Sequence, residues 1–131
     1  MTSEVATWQP APQQLGAAHV QVLDRAAEAQ DDALDVTEED TTLLRELMAA
    51  NLDQWQAWID ATASPTLARW LRVVVLAEAR LPGCERGAKS PAILMARTLR
   101  ARNAYPKELT PWIRSVSDNR FLPYGSLLDR L

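Results

Sequence analysis

Apolar residues recur along this chain at helical spacing, and the polar residues between them fall on the opposite sides of the helices so defined. From Leu15 to Leu34 the apolar positions are 15, 22, 23, 26, 29, 33 and 34, with Asp24, Glu28, Asp31 and Asp32 facing away from them. This pattern predicts an amphipathic helix, weakened by Gly16 and an alanine-rich face. The clearest signal follows it. Thr37 precedes Glu38, Glu39 and Asp40, so a capping hydroxyl leads into acidic residues that the helix dipole favours in a first turn. One helix is predicted from there to about Thr62. Leu43, Leu44, Leu47, Met48, Leu52, Trp55, Trp58 and Ile59 share its apolar face, and Glu46, Asp53 and Asp60 line the other.

Ser64-Pro65 and Ser90-Pro91 each place a serine before a proline whose fixed φ and missing N–H suit the first helical position. They predict helices from Ser64 to about Leu81, stopped by Pro82-Gly83, and from Ser90 to about Asn103. Thr110-Pro111 repeats the signal before a short helix through Trp112, Ile113 and Val116 that ends by Asn119. Residues 1–13 contain Pro10, Pro12 and an isolated Trp8 with no sustained period, and read as a mobile arm. Residues 14–131 read as a single helical domain. The fold expected is all-α: an irregular bundle of four or five helices with a mobile N-terminal arm and an ordered C-terminal tail. The short connection at Ala63 makes the Thr37 and Ser64 helices the expected central antiparallel pair.

Composition narrows the picture further. Of 131 residues, 21 are Ala and 18 are Leu, against only 4 Gly, which excludes a glycine-turned all-β fold. One Cys and one His cannot form a disulfide or a zinc site of the usual nitrogen and sulfur kind, so no metal or cofactor is expected. The first 20 residues lack the basic start and apolar run of a secretory signal, and no segment approaches a membrane span, so a cytoplasmic location is expected. Arginine supplies 12 of the 14 basic residues, which with the alanine content points to a GC-rich bacterial coding sequence. Charge is divided unevenly: residues 1–63 hold two basic and 12 acidic residues, and residues 64–131 hold 12 basic and five acidic ones. Either the halves pack with complementary fields or the second half offers a basic surface.

The candidate chemistry is sparse. The stretch VVVLAEARLPGCERGAKS, residues 73–90, looks like a phosphate-binding P-loop, but Ala88 takes the place of the second glycine and Pro91 removes an N–H that would face the phosphate. Glu78 falls within the apolar face defined by Leu67, Leu71, Val74, Val75 and Leu81, where an unpaired charge is costly. A buried ion pair of Glu78 with Arg97 or Arg100 on the next helix is therefore expected. Arg86, Lys89, Arg97 and Arg100 are the candidate contacts to an anion or to nucleic acid, although the link from Leu81 to Ser90 is too long for a helix-turn-helix. His19 reads as a histidine at the edge of the core, and Cys84 as a loop thiol beside Arg86. Trp112, Phe121 and Tyr124 gather in the C-terminal segment, which either closes the core or presents a surface to a protein partner.

No catalytic constellation emerges from these residues. The function expected is that of a non-enzymatic helical protein acting through protein-protein interaction or regulation. A nucleic-acid-binding regulator using the arginine-rich second half is the alternative, and a small enzyme with a pocket around Glu78 is the third reading.

Overall fold

The computed structural model describes residues 16–29, 34, 36–119 and 122, and among these every regular element is a helix, with no strand. Six α-helices follow one another: α1 (Ala17–Ala29), α2 (Glu38–Ala49), α3 (Leu52–Asp60), α4 (Ser64–Arg80), α5 (Pro91–Ala101) and α6 (Leu109–Val116), with a 3-10 turn at Gly87–Lys89. The arm of residues 1–13, and most of the tail after Asn119, lie outside the described residues. No helix among the described residues is long and apolar enough to cross a membrane.

The helix predicted from Thr37 to Thr62 divides in two. Ala50 and Asn51 are extended, and the Asn51 side chain accepts a hydrogen bond from the Gln54 amide at 2.8 Å, starting α3 afresh. The apolar period continues in phase across the corner, which is why periodicity alone missed it. The sequence Asn51-Leu52-Asp53-Gln54, with a capping residue and a Gln three positions later, carried the signal for the break. Asn51→Ala is expected to cost about 1 kcal/mol in chemical denaturation, the usual size of a lost N-cap.

Other caps divide similarly. Thr37 and Ser90 cap as predicted, accepting from the amides of Asp40 and Ala92 at 3.0 and 3.1 Å. Ser64 does not cap: Ala63 holds the N-cap position without a side-chain bond, and Ser64 Oγ accepts from Arg102 instead. Likewise α6 starts at Leu109, and Thr110 Oγ pairs with the Tyr105 hydroxyl at 2.8 Å. α5 closes at Asn103, whose φ of +58° suits the left-handed position; the Ala104 amide donates to Leu99 O and the Asn103 amide to Arg100 O.

The central element is α4. It packs most extensively on α5 and also on α1 and α6, while α2 packs on α1 and α3 on α5. The expected central pairing of the Thr37 helix with α4 is therefore replaced by α4 with α5. Six consecutive residues, Val73 to Glu78, are buried, in keeping with a helix on which α1, α5 and α6 all pack. The apolar run that leads into the P-loop-like stretch lies in this helix, which ends within a residue of the predicted Leu81.

Arginines from the second half close helices of the first. Arg102 donates to Thr62 O at 2.8 Å and to Ile59 O at 3.2 Å, satisfying carbonyls at the end of α3. Arg86 Nε donates to Met48 O in the last turn of α2 at 2.8 Å. Cations at helix C-termini are favoured by the dipole as well as by the bonds they make. At these two points the arginines of the second half hold backbone carbonyls of the first, not its acidic side chains.

Candidate functional site

Glu78 stands in the last turn of α4, where the carbonyl end of the helix already disfavours a negative charge. The residue is 6% exposed. The Ser90 hydroxyl, which caps α5, and the Asn119 side chain, which donates to Gly87 O at 3.0 Å, stand nearest the carboxyl, and Arg86 bears on it electrostatically. Ser90 and Asn119 act on the carboxyl as hydrogen-bonding neighbours that favour its charged form, yet neither of its oxygens, both buried, has a fully formed hydrogen bond. Burial pushes the carboxyl up from 4.5 to about 7, opposed by Ser90, Arg86 and Asn119 and slightly reinforced by Glu85.

Glu78 forms part of the wall of a cleft of about 540 Å³, together with Arg80, Glu85, Arg86, Asp118 and Asn119. The cleft lies where the end of α4, the turn before α5 and the chain after α6 converge. Arg86 connects it to a second hollow of about 450 Å³, shared with Lys89 and the α2–α3 corner.

The expected partners of Glu78 are elsewhere. Its charged neighbours are Arg86 and Glu85, not Arg97 or Arg100. Arg97 is exposed on α5, and the Arg100 guanidinium lies 4.1 Å from the centre of the Tyr105 ring. The reason is axial: Glu78 sits beside Ser90 at the start of α5, and Arg97 and Arg100 lie seven and ten residues further along that helix, about 10 and 15 Å at 1.5 Å per residue. Of the four candidate anion contacts, the structure brings Arg86 and Lys89 to one hollow, and neither Arg97 nor Arg100 lines it.

The remaining candidates are engaged in the fold. His19 Nδ1 accepts from the Gly16 amide at 3.0 Å, which places the ring proton on Nε2, and Nε2 donates to Glu46 at 2.7 Å. The residue joins α1 to α2. Cys84 is fully buried and not a loop thiol open to solvent; burial pushes its pKa up, against the opposing fields of Arg45 and Arg86. Trp112 is half-buried under the Arg72 guanidinium at 4.9 Å, and Phe121 and Tyr124 lie outside the described residues. Among the described residues no group of three or more His, Cys, Asp or Glu is placed to hold a metal ion.

Sequence reasoning singled out Glu78 and Arg86 but not Asn119, which is 41 positions from Glu78 and carried only the signature of a turn former. Ser90 was legible as a cap, and its second role depends on how α5 crosses α4. No protein-family model, curated protein or solved structure matches this chain.

Proposed function

We propose that this chain works by binding and not by catalysis, as a small helical regulatory protein whose working site is the cleft beside Glu78. The observation that supports this reading is a carboxyl nine-tenths buried, in the wall of a cleft, with neither oxygen bonded. Leaving a buried polar group unsatisfied costs about 1–3 kcal/mol, and folded proteins retain few such groups. A strongly perturbed titratable group at a cleft is a usual mark of a functional site. Catalysis is disfavoured because the nearby thiol of Cys84 is enclosed and held protonated, while His19 is committed between Gly16 and Glu46.

A protein partner would meet a polar surface here, since every Leu, Ile, Val, Met and Trp among the described residues is buried or half-buried. The cleft, not an apolar patch, is therefore the place to look. The test is a mixed-charge fragment set followed in 1H–15N spectra, with the fragments' own proton signals monitored for conversion. Shifts that cluster on residues 78–87 and 116–119, with the fragments unchanged, support the reading. Hits scattered away from the cleft, or a fragment consumed over time, overturn it.

A further inference from the structure

The cleft has five charged residues in its wall, and they differ in what they have left to offer. Arg86 already donates to Met48 O, Gly83 O and Glu85 O at 2.8, 3.2 and 2.7 Å. Arg80 is engaged as well. Three of the five N–H donors of Arg86 are thus committed to backbone carbonyls. Glu78 in contrast has two unbonded oxygens, and Glu85 and Asp118 are exposed carboxylates in the same wall. The buried, unbonded capacity of the cleft is thus acceptor capacity on Glu78, and acidic groups outnumber basic ones in the wall by three to two.

We infer that the Glu78 cleft takes a small organic cation, an ammonium or guanidinium group that donates hydrogen bonds to the Glu78 carboxylate, with Glu85 and Asp118 adding attraction at the mouth. This rests on the cleft being the binding site. A charge-assisted hydrogen bond is about twice as strong as a neutral one, and a single bidentate or bifurcated donor would satisfy both stranded oxygens. The carboxyl oxygens have no solvent-accessible surface of their own, so a ligand reaches them by displacing the Asn119 side chain from Gly87 O. Capture of a cation requires the ionised carboxyl, and the groups that bear on its charge are Arg86, Glu85 and the Cys84 thiol. At neutral pH the fraction of Glu78 that is protonated releases its proton to solvent when the cation binds.

Three probes of one size separate the chemistry: benzylammonium, benzyl alcohol and benzoate, each titrated while the amide signals of Glu78, Gly87 and Asn119 are followed. Benzylammonium alone is expected to shift them saturably. Its affinity should be about tenfold weaker at pH 6 than at pH 8, since a carboxyl ionising near 7 is mostly protonated at the lower pH. Glu78→Gln should weaken binding at pH 8 at least tenfold, and Asp118→Asn, an exposed change that leaves the fold alone, about twofold. Benzoate moving the same amides, or benzyl alcohol matching benzylammonium, overturns the cation while leaving the cleft a binding site. Silence from all three probes also overturns it, whereas the broader reading falls if the mixed-charge fragments miss the cleft or one of them is consumed. Unchanged affinity in Glu78→Gln removes Glu78 from the contact.

Discussion

Between pH 4.5 and pH 8 the protein is expected to lose about 3 kcal/mol of stability that a Glu78→Gln variant keeps. In the unfolded chain the carboxyl ionises at its ordinary value of 4.5, and in the folded protein near 7. Below 4.5 it is protonated in both states and contributes no pH dependence. Between the two values ionisation is free for the unfolded chain but costly for the buried group, so stability falls at about 1.4 kcal/mol per pH unit. Above about 7 both states are ionised and the loss is complete. The measurement is denaturant unfolding of both proteins across this range, with the Gln variant removing the contribution of the other titrating groups. A Glu78 bonded to Arg97 or Arg100 would have its carboxyl held down instead, and the difference between the two proteins would run with the opposite sign. A flat difference would mean that the carboxyl is solvated.

The same environment changes what truncation should do. With an arginine stranded by loss of its partner, Glu78→Ala would cost about 3 kcal/mol or more. Arg86 is not stranded in this way, because three of its five N–H donors are on Met48 O, Gly83 O and Glu85 O whatever happens at Glu78. The cost of Glu78→Ala above pH 7 is therefore only that of a small cavity, offset by relief of the buried charge.

How much of this was legible in the sequence depends on the range of the interaction. Local signals were reliable where a side chain acts on its own turn: Thr37 and Ser90 cap, and Pro82-Gly83 follows the end of α4, with Gly83 at φ +87° facing the Arg45 side chain. Ser64 shows the limit, since its hydroxyl goes to Arg102, 38 residues away. The anomaly of Glu78 was visible because a carboxylate on an apolar helical face needs no structure to be noticed. Its surroundings were not visible, because Ser90, Arg86 and Asn119 reach it through the crossing of α4 with α5 and the return of the chain after α6. Choosing Arg97 or Arg100 assumed that Glu78 meets the second half of α5, whereas it meets Ser90, the residue just before that helix, and a helical period carries no information on that offset. The even period across Ala50 and Asn51 hid a corner in the same way: two helices in phase look like one.

That corner carries the second large effect. Trp55 is fully buried in the first turn of α3, and its indole Nε1 donates back to Leu47 O near the end of α2 at 2.9 Å. Trp58 meets it edge-on, with ring centres 5.2 Å apart. Trp55→Ala is expected to cost about 3–5 kcal/mol, the range for truncating a buried aromatic, which is a large part of the total stability of a domain this size. Trp55→Phe keeps most of the volume and loses the indole bond, so about 1–2 kcal/mol is expected and the variant stays folded for measurement. An Ala variant within 1 kcal/mol of the parent would show that the corner is not part of the core. The corner also reaches the cleft, because Met48 O, one residue beyond Leu47, holds Arg86 Nε, and Arg86 favours ionisation of Glu78. Loosening that hold lets the guanidinium move away, so the pH at which Glu78 costs stability should rise in the Trp55→Phe background. An unchanged titration would confine Trp55 to stability and separate the corner from the site.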